Sequence, residues 1–115
     1  MTDNCLFCGI SSGVIPSDKV FEDDLCFAFN DIAPQAPIHV LIVPKKHVDS
    51  LDKLNGFAPE ILGHLMLKTS QIAKDLGVGE EGYRVVINTN GNGGQTVYHL
   101  HLHLLAGRPF IFPPG

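Results

Sequence analysis

The stretch His99-Leu100-His101-Leu102-His103-Leu104-Leu105 alternates imidazoles with apolar residues. Successive side chains of an extended strand point to opposite faces. The alternation therefore predicts a strand that puts His99, His101 and His103 on one face and sends Leu100, Leu102 and Leu104 into a core. Three imidazoles fill a core poorly, because each ring needs hydrogen-bond partners. They suit a site that titrates near neutral pH, transfers protons or attacks phosphorus.

The run before it is Asn90-Gly91-Asn92-Gly93-Gly94-Gln95-Thr96. Its glycines admit positive φ and remove side chains that would block a close approach. Successive N–H groups in such a turn form a concavity that accepts anions. It is neither a P-loop nor a dinucleotide fingerprint, since no Gly-Lys-Ser/Thr ending and no helix follows. A glycine-rich turn alone is commonly a hairpin; joined to three histidines, it reads as a phosphate cradle beside a nucleophile.

Working outward, Lys19 to Glu22 and Leu25 to Phe29 read as strands around the turn residues Asp23 and Asp24. Asp31 to Pro37 is a proline-bearing loop, and His39 to Val43 is an apolar run closed by Pro44. Residues 58–76 carry the one clear helix: Ala58, Ile61, Leu62, Leu65, Ile72, Ala73 and Leu76 recur at three- and four-residue spacing. Pro59 suits its first turn and Gly77 its stop. His64 lies off the apolar stripe and reads as solvated. Tyr83 to Asn88 and Val97 to Leu105 supply two more strands. Five strands and one long helix predict an α+β fold with an antiparallel sheet.

The chain has 115 residues, one domain's worth (1–115), with 44% apolar and 17% charged residues. No apolar run approaches the roughly 20 residues that span a bilayer, and Met1 to Cys5 does not read as a signal peptide. These features point to a cytoplasmic protein with no membrane partner. A net charge of −4 with no basic cluster argues against a nucleic-acid polymer as partner. Three cysteines do not make a disulfide framework. Cys26, within Leu25-Cys26-Phe27-Ala28-Phe29, reads as a small core residue.

The His-φ-His-φ-His-φ-φ signature, with φ apolar, resembles that of the histidine triad (HIT) nucleotide-binding family. Phe29-Asn30-Asp31-Ile32-Ala33-Pro34-Gln35-Ala36-Pro37, His39-Val40-Leu41-Ile42-Val43-Pro44-Lys45-Lys46-His47 and Phe112-Pro113-Pro114-Gly115 resemble the Hint branch. The likeness runs nearly end to end. It implies a five-stranded antiparallel sheet that joins a partner's sheet into a ten-stranded homodimer. It also implies a purine nucleoside phosphoramidase, a hydrolase that splits the P–N bond of AMP-amide or AMP-lysine substrates through a nucleotidyl-histidine.

By this resemblance His101 matches the nucleophile, His103 a phosphate-contacting partner, and His39 and His99 a supporting network. Asp31, which by itself reads as a turn residue, matches a carboxylate that grips the ribose hydroxyls. Phe7, Ile10, Phe29 and Ile32, core-like by default, match the walls around the purine. Asn88 matches a polar contact near ribose and phosphate, and Gly94, Gln95 and Thr96 the phosphate turn. Thr96 stands where relatives often have Ser, which keeps the hydroxyl. Phe112 stands where Hint relatives commonly have Trp, in a tail that shapes leaving-group preference. Two other readings stay open: a nucleotide-binding or interaction module with little turnover, and a dinucleoside polyphosphate hydrolase or nucleotidyl transferase.

For metals, strand geometry places His99 and His103 roughly 13 Å apart, beyond the reach of one zinc ion with bonds of about 2.0–2.1 Å. A pair such as His101 and His103 is within reach of one ion, with further ligands still to be found. Cys5-Leu6-Phe7-Cys8 lacks the preceding strand of a thioredoxin motif, which leaves an unliganded thiol pair or half of a metal site. A zinc site needs four ligands, and the chain offers His47 and His99. Several bacterial HIT proteins with a similar Cys-x-x-Cys use histidines at these places. The resemblance thus implies a structural zinc on Cys5, Cys8, His47 and His99, with no metal required for the chemistry.

Overall fold

The computed structural model describes residues 5–56 and 59–115. Along the chain lie α1 (Leu6–Ser12), β1 (Lys19–Glu22), β2 (Cys26–Asn30), β3 (Ile38–Pro44), a 3-10 helix (Leu51–Gly56), α2 (Pro59–Asp75), β4 (Tyr83–Val86) and β5 (Leu102–Ala106). The five strands form one sheet in the order β1-β2-β3-β5-β4, every neighbour antiparallel. The α+β expectation with an antiparallel sheet and one long helix is met. Among the described residues no helix is long and apolar enough to cross a membrane.

The period of two in β2 and β3 builds two cores, one on each side of the sheet. Cys26, Ala28, Val40 and Ile42 pack with Leu100, Leu102 and Leu104 against Leu65, Ile72 and Ala73 of α2. The intervening residues Phe27, Phe29, Leu41 and Val43 pack against Phe7 and Ile10 of α1. Burying Leu65 and Ile72 contributes about 1.5–3 kcal/mol each. Cys26 is a core residue, as expected, and burial, then Asp23, pushes its thiol up to about 12.

Helix α1 is an addition to the sequence reading, which assigned no element to this segment. Cys5 caps it by accepting the Cys8 N–H at 3.3 Å, and Gly13 ends it at φ 86°. Only Phe7 and Ile10 carry its buried face, too few for a periodic signal. Helix α2 opens on Pro59; Ala58, placed in the stripe by periodicity, lies outside the described residues. Leu76 lies past the last turn and is exposed.

Three further expectations are corrected. His64 is not simply solvated: its Nε2 lies 2.7 Å from Asp23 Oδ2, latching α2 to the β1–β2 turn. Burial would raise the Asp23 carboxyl, but the N–H groups of Cys26 and Leu25 and the His64 imidazole hold it down at about 2. The last strand begins at Leu102, not Val97, because the ladder with β3 stops at Ile42↔Leu102. Beyond it the Pro44 carbonyl takes the ring of His99 at 2.8 Å instead of a backbone N–H. Strand β4 likewise stops at Val86, short of Asn88.

Candidate active site

The histidines keep the side assignment that alternation gave them although only His103 lies in regular strand. Leu100, Leu102 and Leu104 enter the α2-side core, and the histidine rings gather on the α1 side. They are not a solvated face: His99 is 0% and His101 8% exposed. Phe7 meets both rings edge-on, with centroids 5.8 Å from His99 and 5.0 Å from His101.

Hydrogen bonds assign the protons. His101 Nδ1 lies 2.8 Å from the His99 carbonyl oxygen, which can only accept, so Nδ1 carries the hydrogen and the neutral ring keeps its lone pair on Nε2. His39 Nδ1 accepts the Gln35 N–H at 3.0 Å, so neutral His39 donates through Nε2 to His103 Nδ1 at 2.9 Å. His103 is thereby left with Nε2–H as its outward donor. His103 Nδ1 is thus already engaged, which argues against a metal ion shared by His101 and His103.

Burial favours the neutral rings. Desolvation, then the neighbouring His101 and His39, lowers His103 to about 4. Desolvation also lowers His39 and His101, each opposed by Asp31, and for His101 first by its bond to the His99 carbonyl. Asp31 Oδ2 stands 3.5 Å from His39 Nε2, while Oδ1 accepts the Ala33 N–H at 2.9 Å and closes the loop.

A cavity of about 330 Å³ opens over this group. Phe7, Ile10, Phe29 and Leu41 give it an apolar floor, with Asp31, Thr96, His101 and His103 at its polar end. Ile32 stands at its rim and is 99% exposed. Aromatic and aliphatic walls with a few convergent polar groups suit a flat, partly polar ligand. Asp18 and Asn30, which the sequence reading missed, also line it, joined by an Asn30 Nδ2–H to Asp18 Oδ2 bond of 2.8 Å.

The glycine turn forms beside the cavity, but not every side chain there faces it. Asn88 Nδ2 donates to the Gly93 carbonyl at 2.7 Å. Buried Gln95 braces the turn, accepting the Asn90 N–H at 2.8 Å and donating to the carbonyls of Asp49 and Val97 at 2.7 and 3.1 Å. Gly94 holds φ 84°, and a Cβ on Gly93 would run into the Thr89 backbone.

Behind the histidines, Cys5, Cys8, His47 and His99 bring their ligand atoms within 4.8 Å of one another. The S···N separations are 3.1 Å for Cys5–His99, 3.4 Å for Cys8–His47 and 3.6 Å for Cys8–His99. A tetrahedral zinc with ordinary bond lengths has S···N edges of about 3.5 Å. Both rings offer Nδ1 to the cluster because Nε2 is engaged elsewhere, His99 on the Pro44 carbonyl and His47 on Asp49 Oδ1, each at 2.8 Å. Such outer bonds orient metal-binding imidazoles. Asp49 was not read from the sequence, though its place two residues after His47 is the available signal. The four side chains fit a metal ion in number, donor type and spacing.

A model of the HIT domain matches residues 12–110. The chain belongs to the HIT family. It is 51% identical to a HIT-like protein of Synechocystis sp. over the full length of both chains. It is 44% identical to the purine nucleoside phosphoramidase of Escherichia coli K12, over 95% of this chain and 92% of that protein. The solved structure of a HIT family hydrolase from Legionella pneumophila superposes with a TM-score of 0.95 at 50% identity, over 97% of this chain and 100% of that one. Within the family match lie His39, His47 and the histidines at 99, 101 and 103, whereas Cys5 and Cys8 precede it.

Proposed function

We propose that this HIT protein is a nucleotide hydrolase that cleaves the P–N bond of purine nucleoside 5′-phosphoramidates through a nucleotidyl-His101 intermediate. The observation that carries the reading is the His101 Nδ1 bond to the His99 carbonyl, which leaves Nε2 as a lone pair on a residue lining the cavity. The relative named purine nucleoside phosphoramidase supports the choice of substrate.

In this reading the purine lies between Phe7, Ile10, Phe29 and Ile32, and Asp31 accepts hydrogen bonds from the ribose hydroxyls. His101 Nε2 attacks the α-phosphorus, the Nε2–P bond forms, and the P–N bond breaks as the leaving nitrogen takes a proton from solvent and departs as the amine. The positive ring so formed is held by the His99 carbonyl at Nδ1. The outward Nε2–H of His103 donates to a phosphate oxygen, with Asn88, Gly94, Gln95 and Thr96 shaping the turn beside it. Water then attacks phosphorus, the Nε2–P bond breaks, and AMP departs. Charge developing on phosphate thus meets preset donors, the arrangement that lowers such barriers most.

A zinc ion on Cys5, Cys8, His47 and His99 is proposed as structural; the attack on phosphorus uses none of these side chains directly. A two-fold dimer is proposed on the free edge of β4. The test is steady-state turnover of an adenosine 5′-phosphoramidate carrying a fluorescent amine, with both products identified. Equimolar AMP and amine are expected. Binding without turnover, or preferential cleavage of a diadenosine polyphosphate, would overturn the assignment.

A further inference from the structure

Cys5 and Cys8 do more than face a metal-sized space: they sit where a change in their chemistry reaches two lining residues of the cavity, Phe7 and His101, and the glycine turn beside it. Phe7, between them in sequence, walls that cavity and lies edge-on to His101. His99, whose Nδ1 meets both sulfurs, holds His101 through its carbonyl. Asp49, which orients His47, takes the Gln95 side chain on its backbone carbonyl and so ties the cluster to the glycine turn.

The two sulfurs are also placed to join. Cys5 caps α1 and Cys8 lies in its first turn, with both sulfurs aimed at the same ring nitrogen and within 4.8 Å of each other. A disulfide needs about 2.05 Å, a closure that side-chain rotation and a small shift of a seven-residue helix can supply. Neither residue is fully buried, and Cys5 lines a cavity of about 380 Å³ beside Thr96, Val97 and Tyr98. Cys26, by contrast, is fully buried in the opposite core.

We propose that Cys5 and Cys8 form a redox modification site, in which a hydroperoxide converts the pair to a disulfide, releases any bound metal and weakens nucleotide binding. The thiolate of Cys5 attacks the outer peroxide oxygen, the O–O bond breaks, and the alcohol leaves, giving a sulfenic acid. Cys8 then attacks that sulfur, the S–S bond forms, and water leaves. The two thiols lose two electrons to the peroxide. The disulfide cannot serve as two thiolate ligands, so His99 and His47 lose their sulfur partners and α1 shifts, carrying Phe7 with it.

The effect on nucleotide rests on the proposed function; formation of the disulfide does not. Protein loaded with zinc is treated with hydrogen peroxide at neutral pH and followed by peptide mass mapping, a chromophoric zinc indicator and calorimetric titration with AMP. The expected result is a Cys5–Cys8 linked peptide, zinc release in step with it, and AMP affinity reduced by at least about fivefold. Dithiothreitol with added zinc should restore both. In Cys8→Ser the same treatment should leave a sulfenic acid on Cys5 that a dione probe captures. Oxidation to sulfinic acid without a disulfide, or a disulfide with unchanged AMP affinity, would overturn the proposal. If the reduced protein fails to bind AMP, the nucleotide reading falls, while linkage and zinc release still decide the modification site.

Discussion

His39 Nε2 and His103 Nδ1 stand 2.9 Å apart, bridging β3 and β5 within the face that carries the histidines. The Gln35 N–H fixes the direction of that bond by occupying His39 Nδ1. A backbone amide in the loop before β3 thus sets which nitrogen of His103 faces the cavity with a proton.

His39→Ala should therefore lower kcat/KM by at least about tenfold, the scale on which orienting partners of reactive imidazoles act. His103 would then be free to take either tautomer. Steady-state kinetics beside a thermal melt checks this: an unchanged kcat/KM in a folded variant would show that His103 needs no partner to fix its proton.

The lowered histidines make stability depend on pH in a defined direction. His103 titrates near 4 in the folded chain, by desolvation first and then by repulsion from His101 and His39 with Asp31 opposing, against an ordinary value of 6.5. Between these values the unfolded chain binds more protons, so this stabilisation is complete above about 6.5 and fades as pH falls toward 4. Each such group contributes a slope of up to about 1.4 kcal/mol per pH unit. Urea midpoints for wild type should fall from pH 7 to pH 5, and His103→Asn should show a shallower fall. A wild-type midpoint that rises on acidification would contradict the account.

Much of the fold could be read before the structure, since alternation and helical periodicity report burial directly. The Leu100, Leu102 and Leu104 side of the histidine segment is core, and α2 runs almost over the span its stripe implies. What could not be read depended on partners distant in sequence. Whether residues 97–101 pair as strand turns on Pro44, whose carbonyl takes the His99 ring. The His64 contact with Asp23 spans 41 positions, and α1 has only Phe7 and Ile10 to bury. Of the site, residue types in a motif indicated the histidines and the Cys-x-x-Cys, while Asp31 came only through the family resemblance. The proton assignments and the Asp49 and Pro44 contacts needed three dimensions.

Metal should be integral to the stability of this protein. Purified without chelator it should contain about one zinc per chain, and stripping it should lower the melting temperature by at least about 5 °C. Elemental analysis with melting curves before and after zinc addition checks both. Metal-free protein that neither takes up zinc nor gains stability from it would contradict the four-ligand site.

Association should proceed through β4, whose outer edge has no strand beside it among the described residues. Exposed Met66 and Leu67 of α2 and Phe112 of the tail add apolar surface that a second copy would cover. Sedimentation at micromolar concentration should give twice the 12.5 kDa of one chain. A 12.5 kDa species there would contradict the dimer.

The central claim is that His101 Nε2 is the nucleophile, and the covalent intermediate tests it most directly. Protein mixed with an adenosine 5′-phosphoramidate, quenched within one turnover and digested should yield a His101 peptide heavier by one AMP less water. The adduct should be absent from His101→Ala, whose turnover should fall to background while AMP still binds within about tenfold of wild type. An adduct on another residue, or full turnover by His101→Ala, would contradict the account.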